Sequence, residues 1–348
     1  MTTHRYASGL ASERDFVTVE PPGESAGYGE NHAFWIHDEA SGLQINGHIN
    51  TCEDVGAYDQ RVNKMSVNFP NGRLLLIRES GAGSDARTAA AGGLRFQCVA
   101  PFERWSCRFQ GIMQDATITR NYMTGAPLDY FRVPVSFEVQ TEMLAPAWIQ
   151  GAFTEGGLGP VASFIGGERY EQLFRHTGKL SIGTETYSLS GYGNRTHRYG
   201  RRDLSATPSA ARMLGHVWAA AIFPSGAGFA FQSYPMADGA ILWSEAVIVR
   251  SGRLVPVTVV KAPWLSNYWL QGEPIEIRLK DADGGLHEIR GETLGTVVGQ
   301  MLPGLTAAEQ VPLFQSHVRY TMNGENAINM LERSLRRVCI ETGDGRPR

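Results

Sequence analysis

Short segments in which apolar and polar residues alternate recur along most of this chain, and they constrain its fold more than any other feature. Val135, Phe137 and Val139 alternate with polar residues, and the same pattern returns at 275–279. A period of two places successive side chains on opposite faces of an extended segment, which is typical of a strand with one buried face. The chain is therefore predicted to consist mainly of half-buried β-strands.

The turn sequences between these segments indicate antiparallel hairpins. Asp283-Gly284-Gly285 joins two alternating segments, and Asn323-Gly324 follows another. Glycine after asparagine or aspartate supports the left-handed backbone of tight hairpin turns. The 40 glycines and 17 prolines also disfavour a helical bundle. We expect an all-β protein of antiparallel strands with few short helices.

The length of the chain and one glycine-rich stretch suggest two similar halves. The 348 residues, of which 42% are hydrophobic, suffice for two domains with real cores. Glycines cluster between 151 and 167, and either side of Gly166 has room for roughly eight strands, the number whose closed barrel holds a small ligand. We predict β-domains at 1–165 and 166–340, each a barrel or a strongly curved sheet, and a loose tail at 341–348.

Charge and cysteine content exclude several classes of partner. The formal net charge of −3 gives no general affinity for nucleic acid or anionic membranes. Four scattered cysteines without a Cys-x-x-Cys pair favour reduced thiols and a cytoplasmic protein. Residues 1–10 lack the apolar core of an export signal, and no apolar run reaches membrane-spanning length. We expect no nucleic-acid partner and no stable membrane insertion, and a homodimer is left open.

A polar run at 191–203 is the strongest candidate for a functional site. It holds four arginines, one histidine, two tyrosines and one aspartate in thirteen residues. If the run is extended, one face carries Arg195, His197, Tyr199, Arg201 and Asp203. Such a face can hold a polar substrate group or transfer a proton, and the alternative is a buried Arg–Asp–His network that joins two sheets.

The same run resembles a family signature. Its pattern Gly-x-Gly-x-Arg-x-His-x-x-Gly-x-Arg-Asp is similar to that of a bacterial lipocalin-like family related to hydroxyneurosporene synthase, a carotenoid hydratase, and to tocopherol cyclase. Residues 30–35 and 319–325 resemble the first and closing strands of that family. The resemblance implies two lipocalin-like β-barrels with a substrate pocket between them. Thr196 stands where the family usually has Asp; if that Asp is the family's proton donor, this chain has lost or replaced it.

Proton transfer on a hydrophobic substrate is the function that these residues favour. His197 is the expected general base, Asp203 a candidate proton donor, and Arg195 a third catalytic residue. Arg201 and Arg202 would lower the pKa of Asp203, so they fit better as clamps for a carbonyl or carboxylate oxygen. A hydratase, dehydratase, isomerase or cyclase for a terpenoid-, steroid- or polyketide-like compound needs no organic cofactor, and we expect none.

Aromatic and ionisable residues outside the motif are predicted to line the substrate pocket with it. This set comprises Tyr199, Trp35, His32, Trp218, Trp243 and Glu245. His32 and Glu245, together with Glu30, are candidates for a second acid or base near His197. No metal site is expected, because His32 and His37 fall on opposite faces of a strand and cannot share an ion.

A non-catalytic carrier of a hydrophobic small molecule is the alternative function. Lipocalin-like barrels bind apolar ligands without altering them, and a fold does not decide a function. In that case the face with Arg195, His197 and Asp203 is an ion-pair network between barrels. A structural or interaction module is a third possibility with less support.

Overall fold

The computed structural model describes residues 4–20, 28–51, 60–116, 130–165, 167–201, 214–236, 239–268, 271–300 and 311–342. Its first sheet has eleven strands: β1 (Tyr28–Asp38), β2 (Gln44–Thr51), β3 (Arg61–Asn68), β4 (Leu74–Gly81), β5 (Thr88–Ala91), β6 (Leu94–Ala100), β7 (Arg104–Ala116), β8 (Tyr130–Met143), β9 (Trp148–Ile149), β10 (Glu168–Ile182) and β11 (Glu185–Arg201). Their order is β4-β3-β2-β1-β11-β10-β8-β7-β6-β5, with β9 paired to β10. An additional pairing of β4 with β7 closes eight of these strands into a barrel.

The second sheet is a closed antiparallel barrel of eight strands. These are β12 (Gly215–Ile222), β13 (Gly228–Pro235), β14 (Ile241–Arg250), β15 (Arg253–Lys261), β16 (Pro274–Lys280), β17 (Leu286–Gln300), β18 (Pro312–Met322) and β19 (Glu325–Leu335). The helices in the described ranges are two 3-10 turns (Ser12–Asp15 and Gly159–Val161), α1 (Ala162–Ile165) and α2 (Arg337–Thr342). The predicted all-β fold class is confirmed. Among the described residues, every helix is too short or too polar to cross a membrane.

The hairpins predicted from the turn sequences are present. Asn323 and Gly324 have φ angles of 53° and 81° and join β18 to β19. Those left-handed values explain why asparagine and glycine occupy the turn. The alternating segments around Asp283 form β16 and β17, which pair in antiparallel register. Local sequence therefore predicts these connections correctly.

The chain leaves the first sheet after Arg201 and enters the second at Gly215, later than the predicted boundary at 165–166. β10 and β11 lie beyond that boundary, yet they pair with β8 and β1. The reason is hydrogen bonding, because β10 and β11 supply the partners that the edges of β8 and β1 need. The glycine-rich stretch is thus a connection within the first sheet, and the motif strand β11 belongs to the first barrel, not to the second half as predicted.

Each barrel has its own apolar interior, and a third apolar cluster lies between the barrels. Phe34 belongs to the interior of the first barrel, and Val217 to that of the second. Trp35 and Trp218, their neighbours in sequence, belong to the cluster between them. This follows from the alternation of side chains along a strand. The outward faces of β1 and β12 therefore form the contact between the two barrels.

Candidate active site

A cavity of about 1060 Å³ lies between the two barrels. One wall consists of outward-facing residues of the first barrel, mainly from β1 to β4 and from β10 and β11. The opposite wall comes from β12, β13, β17, β18 and β19 of the second barrel. The volume is at the upper end of the range for small-molecule pockets, about 300–1,000 Å³. The cavity can therefore hold a ligand of polycyclic or long-chain size.

Two tryptophans form the aromatic part of the cavity wall. Trp35 and Trp218 meet edge to face, with ring centroids 4.8 Å apart and planes at 88°. The guanidinium of Arg169 lies 4.3 Å from the centroid of the Trp218 ring, and His48 meets the Trp35 ring edge-on at 4.9 Å. Edge-to-face and cation–π contacts fix the orientation of such rings. The structure thus brings Trp35 and Trp218, both predicted pocket residues, into one cavity.

An acid–base pair faces the cavity from the second barrel. Nδ1 of His216 lies 2.6 Å from the hydroxyl oxygen of Ser334, and Nε2 lies 3.1 Å from Oε1 of Glu332. If the hydroxyl donates to Nδ1, the ring carries its proton on Nε2 and donates it to the carboxylate. Gln315 donates to the other oxygen of Glu332 at 2.7 Å. Burial raises the pKa of Glu332, but the hydrogen bond and charge of His216, together with the hydrogen bond from Gln315, outweigh this effect and keep the pKa below its usual value.

A second acid, Glu171 on β10, lies behind the cavity wall. Its Oε2 accepts a hydrogen bond from the indole of Trp218 at 2.7 Å, and its Oε1 accepts one from Gln150 at 2.6 Å. Burial raises the pKa of Glu171 to about 7, although Arg169, 3.1 Å from Oε1, opposes the rise. Both protonation states are therefore populated near neutral pH. Glu171 is directly opposite Thr196 across β10 and β11, the position where the family resemblance implies an acid.

The predicted catalytic face of β11 points into the first barrel. Arg195, His197 and Tyr199 are buried there, and none of the three lines the cavity. Arg195 forms an ion pair with Asp15, and Nε2 of His197 lies 2.9 Å from Oε1 of Glu30. The alternation along the strand was predicted correctly. The face that meets the cavity is the opposite one, which carries Thr196 and Arg198.

These inward residues belong to a charged network inside the first barrel, the interior network. Its members are Asp15, Glu30, His32, Arg61, Tyr170, Arg195 and His197. Arg61 donates to Glu30 at 3.0 Å, and the ring of His32 stacks on that of His197 at 3.9 Å. Burial, aided by the neighbouring His197, lowers the pKa of His32 to about 4. A buried ion-pair network is thus present, as the alternative interpretation of the sequence had it, but it lies inside one barrel and does not join two sheets. Glu30 and His32 lie near His197 as predicted, whereas Glu245, the third candidate, bonds to residues 148–154 instead.

The interior network contains a group of possible metal ligands. The ligand atoms of Glu30, His32 and His197 lie within 4.8 Å of one another. The two carboxylates of the network are already balanced by Arg61 and Arg195, and Arg61 contacts Glu30 directly. A divalent ion would add two positive charges to a buried, balanced network, which is costly. The charges around these three residues therefore do not fit a resident metal ion.

The other predicted site residues lie elsewhere. Glu245 accepts four hydrogen bonds from residues 148–154, including one from Trp148 at 2.7 Å, and Trp243 donates to the carbonyl of Gly157 at 3.0 Å. Both therefore hold the loop that follows β9. Arg201 ends β11, and Arg202 and Asp203 lie outside the described residues.

Sequence reasoning predicted Trp218 of the second wall but missed the acid–base pair beside it. His216 and Glu332 are separated by 116 positions, so no local spacing in the sequence links them. Glu171 was missed for the same reason. The available signal was a polar residue on the same strand face as a large aromatic residue, as His216 is with Trp218.

The fold and the cavity define a lipocalin-like protein of two β-barrels, and solved structures share this fold. A protein presumed to be AttH from Nitrosomonas europaea matches with a TM-score of 0.56 and 13% identity, over 88% of this chain and 91% of that one. CghA, solved with Sch210972, matches with a TM-score of 0.51 and 8% identity, over 89% of each chain. Kievitone hydratase from Nectria haematococca has a TM-score of 0.47 and 11% identity, over 92% and 93%.

The chain belongs to the family DUF7064, a domain of unknown function, whose model matches residues 17–336. A search of curated proteins found no match. The resemblance noted in the sequence is thus confirmed for the lipocalin-like fold. The narrower relation to hydroxyneurosporene synthase and tocopherol cyclase stays a prediction, as does the cytoplasmic localisation.

Proposed function

We propose that the protein is an enzyme of the hydratase, dehydratase, isomerase or cyclase type, which transfers protons on a hydrophobic small molecule in the cavity between the barrels. The observation that carries this proposal is the pair of His216 and Glu332 at the wall of a large cavity with an aromatic side. Acid–base chemistry of this kind needs a positioned side chain within reach of the substrate and no organic cofactor.

The substrate body is expected to pack against Trp35 and Trp218. Their edge-to-face contact presents both an aromatic face and an aromatic edge, which suits terpenoid-, steroid- or polyketide-like skeletons. Aromatic faces also stabilise a positive charge that develops on a carbon skeleton. This packing orients the substrate without fixing its identity, so the wall tolerates several ring systems.

The proposed base is Glu332. His216 donates to one of its oxygens and Gln315 to the other, so the carboxylate is held in one orientation at the cavity wall. It is placed to take a proton from a substrate carbon or from an attacking water molecule. Arg169, held by Glu171 and stacked on Trp218, is placed to stabilise an oxygen that becomes negative.

A solved structure with this fold supports a small-molecule ligand. CghA was solved with the compound Sch210972, and it matches most of this chain with a TM-score of 0.51. At 8% identity this likeness concerns the fold, so the assignment of roles here depends on the residues of the cavity itself.

A carrier is the second candidate, and one observation favours it. The residues first expected to be catalytic, Arg195 and His197, form a buried structural network and do not reach the cavity. A carrier would need the cavity and its aromatic wall, but it would not need the hydrogen-bonded pair of His216 and Glu332.

Incubation in D2O distinguishes the two functions. The purified protein is mixed with isoprenoid alcohols, steroid ketones and polyketide-like enones, and mass spectrometry detects deuterium uptake, gain or loss of water, and new isomers. Glu332→Gln is the test variant, and Glu292→Gln, which changes an exposed glutamate on β17, is the matched control. Conversion that is lost only in Glu332→Gln supports the enzyme. Compounds that bind and return unchanged support the carrier.

A further inference from the structure

The two walls of the cavity carry different charges. All the cationic lysine and arginine side chains among its described lining residues come from the first barrel: Lys64, Arg78, Arg132, Arg169 and Arg198. The acids of the same lining are Glu79 and Glu332. Glu79 accepts hydrogen bonds from Asn63 at 3.3 Å and from the backbone of Gly93 at 3.0 Å, and Glu332 is paired with His216. The first-barrel wall is therefore positively charged.

Four of these cations lie in two pairs of directly opposite residues. Lys64 on β3 is opposite Arg78 on β4, and Arg169 on β10 is opposite Arg198 on β11. Opposite residues on one face have Cβ atoms only about 5 Å apart, and like charges in that position are destabilising. Arg169 also contacts Glu171, and Arg198 donates to the carbonyl of Ile165 at 3.4 Å. Each of these arginines thus has contacts of its own, but its directly opposite neighbour across the two strands carries the same charge.

Several cations elsewhere on the first barrel have an acid directly opposite them. Arg108 on β7 is opposite Glu138 on β8 and donates to it at 2.8 Å. Arg175 on β10 is opposite Glu142 on β8, and the two form an ion pair at 2.7 Å. These pairs follow the usual arrangement of opposite charges across a sheet. Arg108 also has a cation, Arg95 on β6, on its other side, but Glu138 offsets the repulsion of that pair. The cavity wall carries two opposed pairs, Lys64 with Arg78 and Arg169 with Arg198, whose repulsion a bound anion would relieve.

Cations from both opposed pairs affect the same part of the cavity. His48 lies beside Lys64 across β2 and β3 and also lines the cavity. Burial lowers its pKa to about 4, and Lys64 and Arg169 lower it further, whereas Glu332 opposes them. Cations from both opposed pairs therefore affect a single side chain within the cavity, together with the proposed base on the far wall.

We propose that the ligand of this cavity is an amphiphilic anion. Its hydrophobic body lies against Trp35 and Trp218, and its acidic group, such as a carboxylate, is bound by the cations of the first-barrel wall. The inference rests on the proposed function only in taking the cavity as the ligand site. Binding of the acidic group to one wall turns the rest of the molecule towards Glu332 on the other, which gives the substrate one orientation.

Two fluorescent probes with the same aromatic body test this proposal. Anilinonaphthalene sulfonate carries an acidic group, and its parent, phenylnaphthylamine, does not. At low ionic strength we expect the sulfonate to bind about tenfold more tightly, because it makes charge-assisted contacts, and the preference should shrink as salt is added. In the Lys64→Gln/Arg78→Gln double variant, we expect the preference to fall about fivefold.

A matched variant controls for unspecific attraction. Arg108→Gln removes an exposed arginine from the same barrel at a position that does not line the cavity, and it should leave the preference unchanged. Lys64 and Arg78 are exposed and opposed, so their removal should not lower the melting temperature. If the double variant keeps the wild-type melting temperature, a lower preference for the sulfonate cannot be attributed to unfolding.

Three results would overturn the inference: equal affinity for both probes, a preference that the double variant retains, or no binding of either probe. These outcomes are independent of the assay in D2O. A neutral compound that is converted by the wild type but not by Glu332→Gln would support the proposed function and contradict the proposal that the substrate is an anion. A preference for the sulfonate without conversion of any compound would support an anionic ligand and favour the carrier function over the enzyme.

Discussion

The inner and outer faces of strand β11 differ in what surrounds them, although their residues alternate within one short segment. On the inner face, Arg195 and His197 contact acids from distant parts of the chain, and the resulting network is closed and buried. On the outer face, Thr196 and Arg198 line a cavity that the second barrel completes. Polar density in a sequence therefore does not distinguish a structural network from a ligand site. The partners supplied by other strands make that distinction.

The two faces of β11 are expected to control different properties of the protein, stability on the inner face and activity on the outer one. Removal of one partner from a buried ion pair leaves an uncompensated charge in the interior and costs about 3–5 kcal/mol. A group at a cavity wall can be replaced at a lower cost in stability, because the cavity already interrupts the packing. The inner face should therefore govern folding, and the cavity walls should govern function.

The largest effect on stability is expected for Arg195→Met. This change leaves Asp15 buried without its cation, so the free energy of unfolding should fall by about 3–5 kcal/mol. Urea denaturation of the purified variant measures the change. The double variant with Asp15→Asn should recover part of the loss, because the orphaned charge is then removed. Wild-type stability combined with lost turnover would instead assign Arg195 to catalysis.

Glu332→Gln should lower activity and leave stability nearly unchanged. Loss of the proposed base is expected to lower kcat by about 10²–10⁴-fold on a compound that the wild type converts, since a positioned general base contributes that much. The amide keeps the shape of the side chain and one acceptor for His216. Thermal unfolding followed by circular dichroism should show a nearly unchanged melting temperature. An equally large loss of stability would make this residue structural, like those of the inner face.

Acid should destabilise the protein through its buried histidines. Burial lowers the pKa of His32 and His176 to about 4 and that of His317 to about 3, whereas an unfolded histidine titrates near 6.5. The unfolded chain therefore binds protons first, and stability falls as the pH drops from about 6.5 to 4, by up to about 3 kcal/mol per residue.

Denaturation series between pH 7 and pH 4 measure this dependence. His317→Gln should flatten the slope, because one of the titrating groups is removed. A slope equal to that of the wild type would show that this histidine is protonated without cost in the folded protein. His32→Gln provides the same comparison inside the interior network.

The smallest expected effect is that of Thr196→Val on the outer face. The hydroxyl accepts a hydrogen bond from Arg169 at 3.1 Å and donates one to the carbonyl of Tyr170 at 3.3 Å. Their loss should cost about 1 kcal/mol in the free energy of unfolding and loosen Arg169 at the cavity wall. Denaturation gives the first value, and the affinity for anilinonaphthalene sulfonate reports the second. A loss as large as that of Arg195→Met would mean that both faces of β11 are structural.

Much of the fold could be predicted from local sequence. The alternation at 135–139 and 275–279 corresponds to β8 and β16, and the turn at Asn323 joins β18 to β19. The domain boundary could not be predicted in this way. Glycines at 151–167 indicate an irregular connection, but they do not reveal whether the next strand returns to the same sheet. Here β10 returns to β8.

The candidate site shows the same limit more sharply. Strand periodicity determined that Arg195 and His197 share one face of β11 and that Thr196 and Arg198 share the other, because side chains alternate in any extended chain. Which face meets the cavity was decided by the tertiary structure, through the partners that β1 and β10 bring to each side. The pairing of His216 with Glu332 also arises only when β12 lies beside β19. A sequence by itself determines which side chains travel together along a strand, whereas the closure of the barrels decides what they meet.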